Sequence, residues 1–148
     1  GSEMQFGEWD GASLINTQIA ARRAYAEAGI SDPRADLSMT EVHDCFSVTE
    51  LAVMEDLGLS APGRAPMEIL DGRYDADGAI PSQLDGGLKC FGHPVGASGL
   101  RMAYEVYNQL LERAGERQRA NVKFGLTHNL GGAPYNNIAA VSILGRKD

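Results

Sequence analysis

Apolar side chains recur along residues 12–28 (ASLINTQIAARRAYAEA) at Leu14, Ile15, Ala21, Tyr25 and Ala28, with Gln18 as a break. That spacing is close to the helical period and predicts a helix with one buried face, stopped by Gly29 with Pro33 just beyond. Leu37 to Val42 is a short strand candidate that runs into His43-Asp44-Cys45-Phe46. Ser47 then predicts the cap of a second helix, with Glu50 three residues on as its capping-box partner. Leu51, Met54 and Leu57 share one face of that helix and Gly58 ends it. Residues 60–83 are rich in Pro, Gly and Asp with little periodicity, and read as a surface excursion. A strand is expected over Gly87–Phe91, followed by a glycine-rich turn through Gly99. A third helix is expected over 98–113, with Leu100, Tyr104, Tyr107 and Leu111 on its apolar side. Asn121–Thr127 and Asn137–Leu144 predict two strands, joined by a loop from His128 to Asn136.

The order helix, strand, helix, strand, helix, strand, strand implies an α/β fold: a mixed β-sheet layered between helices and closed by one hairpin. Nothing along the chain suggests a repeat or a linker, so residues 1–148 read as a single domain. In such sheets ligands bind beyond the carboxyl ends of the strands.

Composition narrows the function. The chain has 148 residues, 43% of them apolar, and a net charge of −7. An acidic chain whose basic cluster, Arg113 to Arg119, is interrupted by Glu116 does not suit nucleic acid. No apolar run reaches a membrane span, and no signal peptide opens the sequence. Cys45 and Cys90 are read as free thiols, which suits the cytoplasm. Gly1-Ser2 resembles a cloning remnant, and with no initiator Met the sequence reads as part of something longer.

The three histidines, His43, His93 and His128, all fall where a predicted strand gives way to the next element, and Cys45 lies two residues from His43. In His43-Asp44-Cys45 the imidazole and thiol occupy alternate positions, so both can point to one side. A thiol titrates near pH 8.5 in isolation and serves as acid, base or nucleophile. In Gly92-His93-Pro94-Val95-Gly96, proline fixes the chain after the histidine and the glycines permit close backbone approach. The following helix directs its positive end at the turn. Neither a P-loop nor a dinucleotide fingerprint fits this spacing. His128-Asn129-Leu130-Gly131-Gly132 offers unobstructed backbone N–H groups of the kind an oxyanion hole uses. The set His43, Cys45, Cys90 and His93 lacks any Cys-x-x-Cys pair, so no metal is expected and Cys90 is expected to pack inside its strand.

His43-Asp44-Cys45-Phe46, the stretch GGLKCFGHPVGASG (86–99) and His128-Asn129-Leu130-Gly131 resemble, in the same order, three C-terminal motifs of thiolases of the sterol-carrier-protein type. The resemblance runs from about residue 12 to 145 and implies the C-terminal half of the thiolase fold. The preceding half would supply the nucleophilic cysteine and much of the coenzyme A surface. It implies that His93 helps activate that nucleophile and, with His43, forms an oxyanion hole, and that Cys45 is the acid/base at the thioester α-carbon. Gly131 would lend its N–H to a second oxyanion hole, with His128 and Asn129 shaping the loop, and these three with Gly132 would form the binding site for the coenzyme A thioester. Coenzyme A is then substrate, with no permanently bound cofactor. The activity implied is that of an acyl-CoA C-acyltransferase in lipid metabolism, inactive as this chain alone and partnered by the missing half and by further copies of itself. Two other readings stay open: a non-catalytic half-subunit or acyl-carrier-binding module, and a thiolase-fold retro-aldolase. Residues 81–87 lack the Ser-Gly-Gly usual before the histidine loop, and Ala133–Asn137 resembles an insertion; both bear on substrate identity.

Overall fold

The computed structural model describes residues 13–133 and 136–146. Gly1-Ser2, the first position of the predicted 12–28 helix, and Pro134-Tyr135 of the suspected insertion lie outside the described residues. Helix α1 spans Ile15–Ala28 and stops at Gly29, whose N–H bonds Tyr25 O from a left-handed conformation. Pro33 opens the short helix α2 (Pro33–Asp36), capped by Asp32. Strand β1 is Met39–Glu41 and helix α3 is Ser47–Asp56. Ser47 is the first helical residue rather than the cap, and no side chain caps this end; the expected capping box is absent.

The excursion over 60–83 is not a surface loop. It contains helix α4 (Ala65–Leu70) and buries Ala65, Tyr74 and Ile80 in the main core beside Leu59. Glu68 fastens it, accepting from the Ser60 hydroxyl at 2.6 Å and from Arg34 at 2.9 Å, while Tyr74 OH lies 2.6 Å from Ser60 Oγ. Its apolar anchors are aperiodic, so no helix or strand template reveals them. The excursion ends beside β1: Thr40 N–H donates to Pro81 O and Gln83 N–H to Thr40 O, pairing Thr40 with Ser82 in parallel.

Residues 87–91 form a helix, α5 (Gly87–Phe91), where a strand was expected. Helix α6 (Ser98–Leu110) follows, then strands β2 (Phe124–Ala133) and β3 (Asn136–Gly145). The predicted loop from His128 is therefore mostly strand: β2 pairs antiparallel with β3 all the way to Ala133 opposite Asn136. The sheet order is β1-β2-β3, with β1 and β2 parallel.

The sheet separates two layers, which is the mixed α/β arrangement its pattern predicts. On one side α1 and α3 pack Leu14, Ala21, Val53, Met54 and Leu57 against Val42 and Leu126. On the other, α6 packs Val106 and Leu110 against Met39. Gly125 sets that approach, since a Cβ there would stand 2.4 Å from a Val106 methyl. The buried side of α6 is Met102, Val106 and Leu110, whereas Leu100, Tyr104, Tyr107 and Leu111, expected to face the core, lie exposed. The exposed stripe steps by four, three and four and the buried one by four and four, both helical spacings, so periodicity alone selects neither.

Candidate active site

Strand β1 delivers the first group. The Gln83 side chain continues the sheet past Glu41, donating to Val42 O at 2.6 Å and accepting from Val42 N at 3.1 Å. His43 follows, buried. Asp44 turns toward α5, where its two carboxylate oxygens lie 3.0 and 3.1 Å from the Leu88 N–H. It thereby caps a helix whose own N-cap, Gly86, has no side chain to do so. Two positive-φ glycines, Gly86 and Gly87, and this borrowed cap make 87–91 helical rather than extended. Cys90 is consequently exposed, not packed inside a strand, and Cys45 is exposed too.

The turn after α5 brings His93 to His43, with ring centroids 4.9 Å apart and planes at 75°. His93 Nδ1 lies 2.7 Å from Oγ of Ser98, the first residue of α6. The buried Ser98 hydroxyl donates to Pro94 O at 3.3 Å. With Pro94 O taken as the acceptor of its single proton, Ser98 accepts from His93, and on that assignment Nδ1 carries the proton and Nε2 a lone pair. Ser98→Ala removes a hydrogen bond worth about 0.5–1.5 kcal/mol. It is expected to move His93 toward the Nε2–H tautomer by up to about 10-fold, read from imidazole 15N shifts; unchanged shifts would refute the assignment.

His43 is held below its ordinary pKa by burial first and by His93 second, against a smaller opposing pull from Asp44. It is therefore neutral at pH 7 and able to donate to a developing anion. His128 does not join this pair at the surface. It lies in β2 on the same side as Leu126, fully buried, with Nε2 3.0 Å from Thr17 Oγ1 of α1. Burial, then His43, lowers its pKa to about 3. His128, expected at the coenzyme A site, has its ring turned into the core by strand alternation and does not line the cavity that His43, Cys45 and His93 share. His93 and His128 also depart from the expected strand ends, one following a helix and the other lying within a strand.

A cavity of about 370 Å³ collects the rest, lined by His43, Cys45, His93, Val95, Asn129, Leu130, Gly131 and Gly132. Among the described residues, the β1 side of β2 has no strand partner beyond Thr127. Because successive residues of a strand turn their N–H groups to opposite edges, either Gly131 or Gly132 presents its N–H on that open side. Gly132 has φ +100°, and a Cβ there would stand 2.6 Å from Asn136 O, so only glycine fits. A larger groove of about 610 Å³ between α1 and β3 is lined by Arg23, Glu27, Ser142 and small apolar residues, with no histidine or cysteine. Among the described residues, no cluster of three or more His, Cys, Asp or Glu is arranged to hold a metal, and no helix is long and apolar enough to cross a membrane.

Three contributors escape sequence reasoning: Ser98, Asp44 and Gln83. The first two sit inside motifs already singled out, Ser98 five residues after His93 and Asp44 between His43 and Cys45. Gln83 leaves no local signal.

Comparison with known proteins identifies the family. Residues 2–146 match the family described as thiolase C-terminal domain-like. An acetyl-CoA acetyltransferase of Methanothermobacter thermautotrophicus is 42% identical over 130 residues, covering 88% of this chain and 33% of that protein. Human sterol carrier protein 2 is 39% identical over 112 residues, covering 76% of this chain and 20% of that one. The chain thus spans about a third or less of the relatives it matches. Among solved structures, the Ltp2-ChsH2(DUF35) aldolase superposes with a TM-score of 0.74 at 23% identity, covering 90% of this chain and 32% of the other, a likeness of fold. A match running nearly end to end, carried by close relatives and a shared fold, makes this chain a member of the thiolase C-terminal domain family.

Proposed function

We propose that this chain is the C-terminal catalytic domain of an acyl-CoA C-acyltransferase, which cleaves a 3-ketoacyl-CoA with coenzyme A or runs the condensation in reverse. One observation carries the reading: His43, Cys45, His93 and the glycine end of β2 line a single cavity although they lie far apart in sequence. Claisen chemistry generates an enolate and a tetrahedral oxyanion, and so requires two sets of donors and a group that moves the α-proton. Cys45 moves that proton. His93, with the Nε2 lone pair of that tautomer, takes the proton of the attacking nucleophile and from the Nε2–H so formed donates, alongside His43, to one oxyanion. The N–H of Gly131 or Gly132 serves the second, and Asn129, packed on Gly99 of α6, shapes the wall. Donors of this kind are worth about 2.7–4 kcal/mol each in a transition state.

The nucleophile comes from the half of the enzyme that precedes this domain. The exposed stripe Leu100, Tyr104 and Tyr107 on α6, with Leu111 just past its end, is a suitable seat for it, being a set of large apolar side chains at helical spacing rather than single residues scattered over the surface. Coenzyme A thioesters are the substrates, and the assembled enzyme is a homo-oligomer. Incubating these 148 residues with acetyl-CoA is expected to give no acyl-enzyme mass shift. An acetyl adduct on Cys45 or Cys90 would overturn the assignment of the nucleophile to the other half.

A further inference from the structure

We propose that Arg101 is a positioning residue for His93: one buried cation joins the three elements that carry the site and so sets the distance from His93 to His43. Arg101 occupies the first turn of α6, immediately after the histidine-bearing turn. Its Nη1 donates to Glu41 Oε2 at 3.3 Å, at the end of β1 and two residues before His43. The same nitrogen pairs with Asp85 Oδ2. The other oxygen of Asp85 accepts from Gly87 N–H at 3.0 Å and so orders the start of α5. Over the guanidinium lies the ring of Phe91, 5.4 Å from its centroid and two residues before His93. All three side chains of the ion cluster are largely buried, with Glu41 0%, Asp85 5% and Arg101 14% exposed.

The turn needs such an anchor. Its own hydrogen bonds, among the described residues, run only to its flanks: Gly92 N to Leu88 O, Ala97 and Ser98 N to Pro94 O, and His93 to Ser98. None reaches β1 or β2. Where His93 stands relative to His43 is therefore decided by how α5 and α6 are fastened to β1, and Arg101 is the side chain common to all three. A buried ion pair adds little net stability compared with apolar packing, since desolvation offsets attraction. Arg101 reaches both acidic side chains through Nη1 and lies against the Phe91 ring, so a single side chain fixes how the three segments sit relative to one another.

This inference rests on the reading of His43 and His93 as the acting pair, but its test needs no turnover. In the full-length protein with labelled histidines, the His43 and His93 ring protons are close enough to give a nuclear Overhauser contact. Arg101→Gln is expected to lose that contact while the cross-strand amide pattern of β2 and β3 persists. A retained contact in a folded Arg101→Gln variant overturns the proposal. Should that variant not fold, Asp85→Asn keeps the side-chain shape and removes one partner. It is expected to weaken the same contact, and an undiminished one again overturns the proposal. Acyl transfer measured alongside separates the two ideas: a contact that depends on Arg101 in an enzyme that transfers no acyl group sinks the proposed function alone. Where transfer occurs, Arg101→Gln is expected to lower kcat with KM little changed.

Discussion

In the full-length enzyme, Cys45→Ser is expected to lower turnover by roughly 10²–10⁴-fold, the contribution of a positioned acid/base to a proton-transfer step. Serine has nearly the same shape, but its hydroxyl is far too weak an acid to exchange a proton near neutrality. Cys45 is exposed at the cavity wall, outside both core clusters, so the substitution is expected to leave the melting temperature within the error of surface changes. KM should change little, because the role proposed for Cys45 is at the reacting carbon and not along the bulk of the substrate. Unchanged turnover in Cys45→Ser would instead favour the scaffold reading, in which this domain binds but does no chemistry. Cys90 provides the control. It too is exposed, but it does not line the cavity, and Cys90→Ser is expected to retain full activity.

Which parts of this were legible follows from where the determining contacts lie. Helix α1 and its stop were readable because amphipathic period and Gly29 are local, and the buried side of α3 was readable for the same reason. Gly87–Phe91 was misread because what makes it helical is a carboxylate more than forty positions away, at Asp44. The glycine run 131–132 looks like a loop in isolation, yet pairing with β3 extends it. His128 shows the limit from the other side: its motif suggested a site residue, while strand alternation places it against Thr17. The convergence of His43, Cys45 and His93 was foreseen from motifs in the correct order. The cluster of Glu41, Asp85 and Arg101 left no trace, since three charged residues scattered over sixty positions read as ordinary surface until the fold buries them.

The same buried groups set how stability varies with pH. Glu41, raised from 4.5 to about 9 by burial first, then by Asp85 and against the pull of Arg101, stays protonated in the folded chain where an unfolded one has released its proton. Its contribution is complete below pH 4.5 and is lost as pH rises to about 9. His128 runs oppositely: neutral in the fold down to about pH 3, it binds a proton near 6.5 once unfolded, so its contribution is complete above 6.5 and is lost as pH falls to about 3. Between 4.5 and 6.5 the two slopes cancel, one proton held by the fold against one held by the unfolded chain. Denaturant unfolding followed across pH is therefore expected to give a plateau there, falling on either side by about 1.4 kcal/mol per pH unit. Two further groups act within that interval with opposite signs, His43, lowered by burial, from 6.5 downward and Glu50, raised by burial, from 4.5 upward, while Glu68, lowered by the Ser60 hydroxyl, adds to the fall below 4.5. Glu41→Gln keeps an acceptor for Arg101 and removes the titration, so it is expected to flatten the alkaline limb above pH 6.5 at little cost at neutrality. If the alkaline limb survives in Glu41→Gln, Glu41 is ionised in the fold, and Arg101 then bears two carboxylates at neutral pH rather than one carboxylate and one carboxylic acid.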